Sequence, residues 1–422
     1  MGGDNLVQNY PLRVLSGELI AHGRLPLWNP DIWSGTQLLA GWNAGAMFPG
    51  TWLFSILPGV AAWEVNTIAV GAIAGIGLHL FLRRQGCSPL ASFLGALTFS
   101  YAGFMSAQSV HLGLVMGMAF APWVLVVIDQ MTRVASWREL LRPTVLLALL
   151  GALVVLAGDP RAISNVCIIA ALYLAALCWR AYRQIWRPHV NMWWLLGSVV
   201  VGALFAIALS AVQWLPGLEF LHGSQRSSGE LSYFGLYSLA GSQLAYLFVP
   251  YILGGNGTLG LPTTDFNLPE YSFSVGILPL VALFTLATRA IGEFIARTLG
   301  RFPVRDRDGA PLFGVYIVLV VVGVVLARGT TTPLGHLLVH IPLYGGQRLQ
   351  VRNMGIADLA LSALVAIFID SLSKSGTALS SAERRAAARV LPERIAGAVP
   401  PLVVAALVIS MFAATGATER FV

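Results

Sequence analysis

A handful of side chains with catalytic or ligand chemistry fall between the apolar runs of this sequence: Asp4, His111, Asp159, Glu270, Arg226, Arg348 and Arg352. A carboxylate can take a proton from an attacking hydroxyl. A guanidinium group suits bidentate recognition of phosphate. A divalent metal could be held between carboxylates, although no spacing demands one and the metal ligands stay unassigned. Each residue also has a plainer reading. Asp4 would cap a helix or turn, and Gln8 and Tyr10 could be its hydrogen-bonding neighbours or structural residues at a helix start. Asp159 and Arg161 would neutralise one another in a tight turn. Glu270 stands at the mouth of an apolar run, with catalysis and structure evenly balanced. Arg348 and Arg352 are one helical turn apart if that stretch is helical, and would either clamp a phosphate or snorkel to headgroups. His111, beside Gln108 and Ser109, reads as a satisfied interface residue or as a ligand.

The elements that must position these groups are apolar. The chain of 422 residues is 56% hydrophobic and 11% charged, against about 25% charged in soluble domains. Its mean hydropathy is +0.74. Runs of the length a helix needs to cross about 30 Å of hydrocarbon predict an all-α polytopic membrane protein with about ten transmembrane helices. They lie at 62–82, 89–107, 111–130, 143–158, 162–181, 192–214, 272–290, 312–328, 355–372 and 397–415. A β-barrel would show short alternating strands instead. Most of the 26 Lys and Arg sit in alternate loops: Arg83/Arg84, Arg133 to Arg142, Arg180 to Arg187, Arg289 to Arg307 and Lys374 to Arg394. Those loops are expected to be cytoplasmic. The basic balance of +7 is thus topological, and no nucleic-acid partner is expected. Cys87, Cys167 and Cys178 lack metal-type spacing and read as small core residues.

The charge alternation places 1–61 outside as a first loop, 62–214 as a six-span bundle, 215–271 as a long external loop, and 272–422 as four further spans with an external loop at 329–354. It also predicts that a transmembrane helix belongs ahead of Met1. After Pro11, Leu12, Leu15, Leu19 and Ile20 share a helical face, while Arg13, Glu18 and His22 fall elsewhere; this reads as an interfacial helix on the membrane. Trp28, Trp33, Trp42 and Trp52 read first as membrane anchors, then as sugar-stacking groups. Leu236 to Leu239 and Leu244 to Val249 are too apolar for a solvated linker, which predicts short helices roofing the bundle. Glu64, Asp129, Asp358 and Asp370 fall near span ends, and no internal repeat or Gly-rich phosphate loop is present, which argues against an ion-coupled transporter or an ATP-driven pump.

Several segments in order carry a resemblance: Gly3-Asp4-Asn5-Leu6-Val7-Gln8-Asn9-Tyr10-Pro11, Gly23-Arg24-Leu25-Pro26-Leu27-Trp28-Asn29-Pro30, Gly35-Thr36-Gln37-Leu38-Leu39-Ala40, Ser100-Tyr101-Ala102-Gly103-Phe104, Ala121-Pro122-Trp123, Gln213-Trp214-Leu215-Pro216, Glu270-Tyr271 before Gly276-Ile277-Leu278-Pro279, and Arg348 to Arg352. The chain resembles the YfhO-type bacterial membrane proteins along nearly its whole length. That family is similar to the GT-C glycosyltransferases, which take a sugar from a polyprenyl-phosphate carrier and pass it to an acceptor outside the cytoplasm. The resemblance implies a GT-C-like fold in the bacterial cytoplasmic membrane, a polyprenyl-phosphate-linked sugar as donor, and a cell-envelope polymer, lipid or protein as acceptor. It makes Asp4 the candidate catalytic base, with Glu270 beside it. Gln8, Tyr10, His111, Asp159, Arg161, Arg226, Arg348 and Arg352 become candidate substrate contacts. Where the family often has Gly-His-Pro-Gln, this chain has Gly158-Asp159-Pro160-Arg161, so no role of that His or Gln carries over. Two other classes compete: a carrier or flippase of lipid-linked sugars, which needs no base, and a non-enzymatic partner in an envelope-assembly complex. If the three external segments build one site, Asp4 should lie within about 12 Å of Glu270, Arg348 or Arg352, the span of a sugar phosphate plus two hydrogen-bond shells.

Overall fold

Proline and a capping side chain together start two of the helices. Ser88 accepts from the Ala91 amide ahead of Pro89, and Asp159 accepts from the Arg161 and Ala162 amides ahead of Pro160. Proline at the first turn loses no hydrogen bond there, and the cap supplies one the turn lacks. A computed structural model describes residues 4–183, 188–224, 226, 229–247, 268–286 and 313–378. In chain order the principal helices are α1 (Tyr10–Ala21), α2 (Gly59–Arg84), α3 (Pro89–Tyr101), α4 (Leu112–Ala119), α5 (Ala121–Met131), α6 (Leu141–Leu156), α7 (Pro160–Tyr182), α8 (Met192–Leu209), α9 (Ala211–His222), α10 (Ile277–Leu286), α11 (Phe313–Ala327) and α12 (Met354–Ala378). One two-residue β ladder, Trp28–Asn29 against Thr36–Gln37, folds the first loop back on itself.

Seven helical stretches among the described residues are long and apolar enough to cross a membrane: Gly59–Arg84, Pro89–Val110, Leu112–Met131, Trp137–Leu156, Pro160–Tyr182, Met192–Leu209 and Gln350–Ser373. The mostly helical chain is thus consistent with an all-α membrane protein. The expected runs at 272–290 and 312–328 contain the shorter apolar helices α10 and α11. The run at 397–415 lies outside the described residues, as do the basic clusters at 289–307 and 384–394. The run expected at 192–214 divides at Ser210 into α8 and α9.

Burial ranks the helices. The most apolar stretches of Leu112–Met131 and Gln350–Ser373 are 83% buried within the protein, whereas that of Met192–Leu209 is 17% buried. The first two form the centre, with α12 packed between α3 and α11, and α8 lies outside against α6. Small residues let backbones approach: a Cβ on Gly323 of α11 would come within 2.8 Å of the Ala357 amide of α12. At one end of the bundle Asp129 holds Arg84 at 2.6 Å and Arg133 at 2.9 Å, and Asp370 accepts from the Ser88 amide at 2.9 Å.

Three expectations change at this level. The apolar face of α1 does not lie open to lipid: Leu12, Leu15 and Leu19 pack on Leu38, Leu39, Ala44 and Ala46 of the folded first loop. The loop supplies the cover that a membrane surface was expected to provide. Trp42 is no outward anchor either, since its ring packs over Gly217 of α9; Trp28, Trp33 and Trp52 are exposed. Asp358 is not near a span end. The span begins at Gln350, so Asp358 lies two turns inside it, 1% exposed, and neither carboxyl oxygen has a hydrogen-bond partner among the described residues.

Candidate functional site

Five separated segments deliver polar groups to one point. His111 sits in the turn between Val110 and α4, with a backbone (φ −122°, ψ 74°) outside the helical range. Its imidazole therefore projects from a corner. Gln108 reaches it from the preceding turn, Gln108 Oε1 lying 2.9 Å from His111 Nδ1. Asp4 arrives from the start of the wide helical turn Asn5–Asn9, with Oδ2 at 3.1 Å from His111 Nε2. Arg352 enters from the turn Gln350–Asn353 and puts Nη2 at 2.9 Å from the same Nε2. Asp4 and Arg352 thus share one imidazole nitrogen.

Behind them lies a buried ion pair. Glu270, 3% exposed in the turn Leu268–Tyr271, takes Arg352 Nη2 at 2.6 Å and Arg352 Nε at 3.0 Å. Gln108 Nε2 donates to Glu270 Oε2 at 3.1 Å and to the Pro269 carbonyl at 2.8 Å. Asp159 Oδ2 stands 3.8 Å from Arg352 Nη1. Burial alone would raise the Glu270 carboxyl; the charge and hydrogen bonds of Arg352 override it and hold the group below the ordinary carboxylate range. His111 moves down, first through burial and then through Arg352, against the pull of Glu270, Asp159 and Asp4. The net push favours the neutral imidazole. Asp4 differs from its partners in access, for its side chain is 55% exposed while that of Glu270 is 1% exposed.

The backbone around this cluster is fixed by the turn that precedes α7. Gly158 holds φ +93°, and a Cβ there would run into the Trp42 carbonyl and Gly45 of the first loop. The contact locks that loop onto the start of α7, next to Asp159. Nearby, Arg13 is 1% exposed, donates to Thr51 Oγ1 and the Ala157 carbonyl, and has no hydrogen-bond partner for Nε among the described residues. Burial pushes this guanidinium down to about 10. Arg13 ties α1 to the α6–α7 turn. The helical wheel of α1 placed it merely off the apolar face, and the sequence carried no signal that this face is buried too.

A cavity of about 1060 Å³ is lined by chain neighbours of the cluster, though by none of the clustered side chains themselves. Gln8, four residues after Asp4, and Pro160, next to Asp159, line it, as do Trp33, Trp42 and Trp214. Its wall is largely apolar, and among the described residues that line it Arg226 is the one Lys or Arg.

The sequence-expected residues therefore divide. Asp4, His111, Glu270, Asp159 and Arg352 converge; Gln8 and Arg226 face the cavity. Asp4 occupies a cap position without a side-chain capping bond. Tyr10 stands apart, its ring packed edge-on to Phe54 and Trp63. Arg161 does not neutralise Asp159. Its guanidinium turns to the Gln347 and Arg348 carbonyls, Asn353 Oδ1 and the face of Tyr344. Arg348 and Arg352 form no two-pronged clamp, because Leu349 between them has φ 66° and breaks the helical register. Arg348 stacks over Tyr233 at 5.9 Å, while Arg352 is turned inward. Gln108 is a site residue that carried no expected role; its place three residues before His111 was the available signal. Among the described residues no three His, Cys, Asp or Glu side chains are grouped to hold a metal ion, and Arg352 fills the position between Glu270 and Asp159. No known protein family, curated protein or solved structure matches the chain.

Proposed function

We propose that the chain is a membrane glycosyltransferase that moves a sugar from a polyprenyl-phosphate donor to a cell-envelope acceptor on the extracytoplasmic face of the bacterial cytoplasmic membrane. One observation carries the reading: a half-exposed carboxylate, Asp4, backed by a buried and hydrogen-bonded cluster, lies one helical turn before Gln8, which lines a large, mainly apolar cavity whose described lining includes the cation Arg226. An amphiphilic phosphosugar matches that combination. Its lipid would occupy the apolar wall, Arg226 would face its phosphate, and Asp4 would accept the proton of the attacking hydroxyl. Arg352 serves the protein rather than the phosphate in this reading, since its donors are already committed to Glu270, Asp159 and His111.

The test is release of polyprenyl phosphate from a panel of polyprenyl-phosphate hexoses by the purified chain in lipid nanodiscs. Wild type is expected to release it in the presence of a cell-envelope acceptor fraction. Asp4→Asn should abolish release without loss of expression, because the carboxamide keeps the shape but cannot take the proton. Transfer retained by that variant removes Asp4 as the base.

One observation favours a second reading. Asp358, an ionisable side chain inside a candidate span and without a hydrogen-bond partner among the described residues, is what an ion-coupled carrier of lipid-linked sugars would use. Movement of a labelled lipid-linked sugar between leaflets of proteoliposomes, lost in Asp358→Asn and kept in Asp4→Asn, would select the carrier.

A further inference from the structure

We infer that His111 is a positioning residue for sugar transfer, held by Gln108 as the Nδ1–H tautomer so that its bare Nε2 accepts a hydrogen bond from Asp4 once Asp4 has taken the acceptor's proton. The role rests on the transferase reading, but the tautomer follows from hydrogen-bond bookkeeping alone. Gln108 Nε2 faces the Pro269 carbonyl at 2.8 Å and a Glu270 oxygen at 3.1 Å. A carbonyl and a carboxylate only accept, so that end of Gln108 is the NH2 group. Its other end, Oε1, is then an acceptor, and His111 Nδ1 at 2.9 Å must be the donor. Arg352 enforces the same answer from the opposite side. Its Nη2 lies 2.9 Å from His111 Nε2 and always carries hydrogen, so Nε2 is the acceptor and bears none.

Bare Nε2 also faces Asp4 Oδ2 at 3.1 Å. With Asp4 ionised, two acceptors confront one another, and the gap between them lacks a hydrogen. One added proton lets Asp4 donate to Nε2, where it shares the single ring lone pair with Arg352 Nη2. In the transfer step the acceptor hydroxyl oxygen bonds to the anomeric carbon, the bond from that carbon to the phosphate oxygen breaks, and the phosphate leaves with the electron pair on its lipid. The hydroxyl proton passes to Asp4, whose new O–H donates to His111 Nε2. No further reactant is needed. The groups that face His111 are Asp4 from the wide turn, Gln108 from its own turn, Glu270 at 4.0 Å, Asp159 from the start of α7, and Arg352. Gln108, Glu270 and Arg352 hold the ring's tautomer. Asp4 is the exposed member and the only one placed to meet a substrate.

Histidine ring-15N-labelled protein in lipid nanodiscs tests this directly, with the His111 signal identified by its loss in His111→Gln. The expected spectrum near neutral pH has Nδ1 protonated and Nε2 bare. In Asp4→Asn the Nε2 signal should move, and in Gln108→Leu the two neutral tautomers should mix. An Nε2–H ring, an imidazolium near neutral pH, or an Nε2 signal indifferent to Asp4→Asn would overturn the inference. Kinetics with a polyprenyl-phosphate hexose supply the functional arm. His111→Gln should lower kcat about tenfold or more while leaving the donor KM unchanged. An unchanged kcat, or a loss confined to KM, would overturn the positioning role. Wild-type protein with the expected tautomer but no transfer fails the transferase reading, and the positioning role with it; active protein with the wrong tautomer fails this inference alone.

Discussion

Arg352 is the residue on which the other polar groups depend, because among the described residues it is the one cation hydrogen-bonded to Glu270 and faces Asp159 and His111 as well. Removing one partner of a buried pair leaves the other uncompensated, at a cost of about 3–5 kcal/mol. Arg352→Met should therefore lower the melting temperature sharply, and Glu270→Gln added to it should recover part of the loss, as differential scanning fluorimetry in micelles can measure. The same contacts set a pH dependence. Both Glu270 and His111 titrate lower in the folded chain than when unfolded, so the unfolded chain binds more protons and stability rises with pH. Stability supplied by His111 should fall away as pH drops below the ordinary imidazole value of about 6.5, and that supplied by Glu270 below about 4.3. Melting curves of His111→Gln and Glu270→Gln should each flatten in the corresponding window. Which residues carry charge near the site was legible in the sequence, but their duties were not. A four-residue spacing suggests a shared helical face for Arg348 and Arg352, and the left-handed Leu349 that separates them has no marker such as glycine.

Elements hold the site through backbone approach more than through side-chain reach. Gly158 shows this most directly: its positive φ and the Trp42 carbonyl against it leave no room for a Cβ. Gly158→Ala should cost at least about 1–2 kcal/mol for the left-handed backbone alone, more for the clash, and should loosen the first loop. Faster proteolysis within residues 28–45 of the variant would report that loosening. Asp358 offers the opposite case. A buried carboxyl without partners is often replaced by an apolar residue at no cost or with a gain, so Asp358→Leu should melt at a higher temperature than wild type. An unchanged or lower melting temperature would show that the carboxyl is partnered in the membrane. The periodicity of α1 was readable, yet not what covers its apolar face, since the covering residues Leu38 and Leu39 lie across a loop whose path no local pattern specifies.

At the scale of the molecule, apolar runs sufficed to locate seven candidate spans among the described residues, because a span must satisfy its own backbone and therefore announces itself in about 20 residues of composition. The positive-inside argument gives a test of orientation that is independent of chemistry. Single cysteines placed within 133–142 and within 229–247, in a background lacking Cys87, Cys167 and Cys178, should react with a membrane-impermeant maleimide from opposite sides; reaction from one side would invalidate the loop assignment. Convergence could not be read this way, because contacts between distant segments leave no periodic trace. The candidate site is drawn from Asp4, the Gln108–His111 turn, Asp159, Glu270 and Arg352, scattered from one end of the described chain almost to the other. A growing chain therefore cannot possess it early. Asp4 and His111 can meet as soon as the first helices are placed, but the cation between Glu270 and Asp159 arrives only when residue 352 has left the ribosome, so the cluster stays chemically incomplete until the last of the described candidate spans begins to emerge.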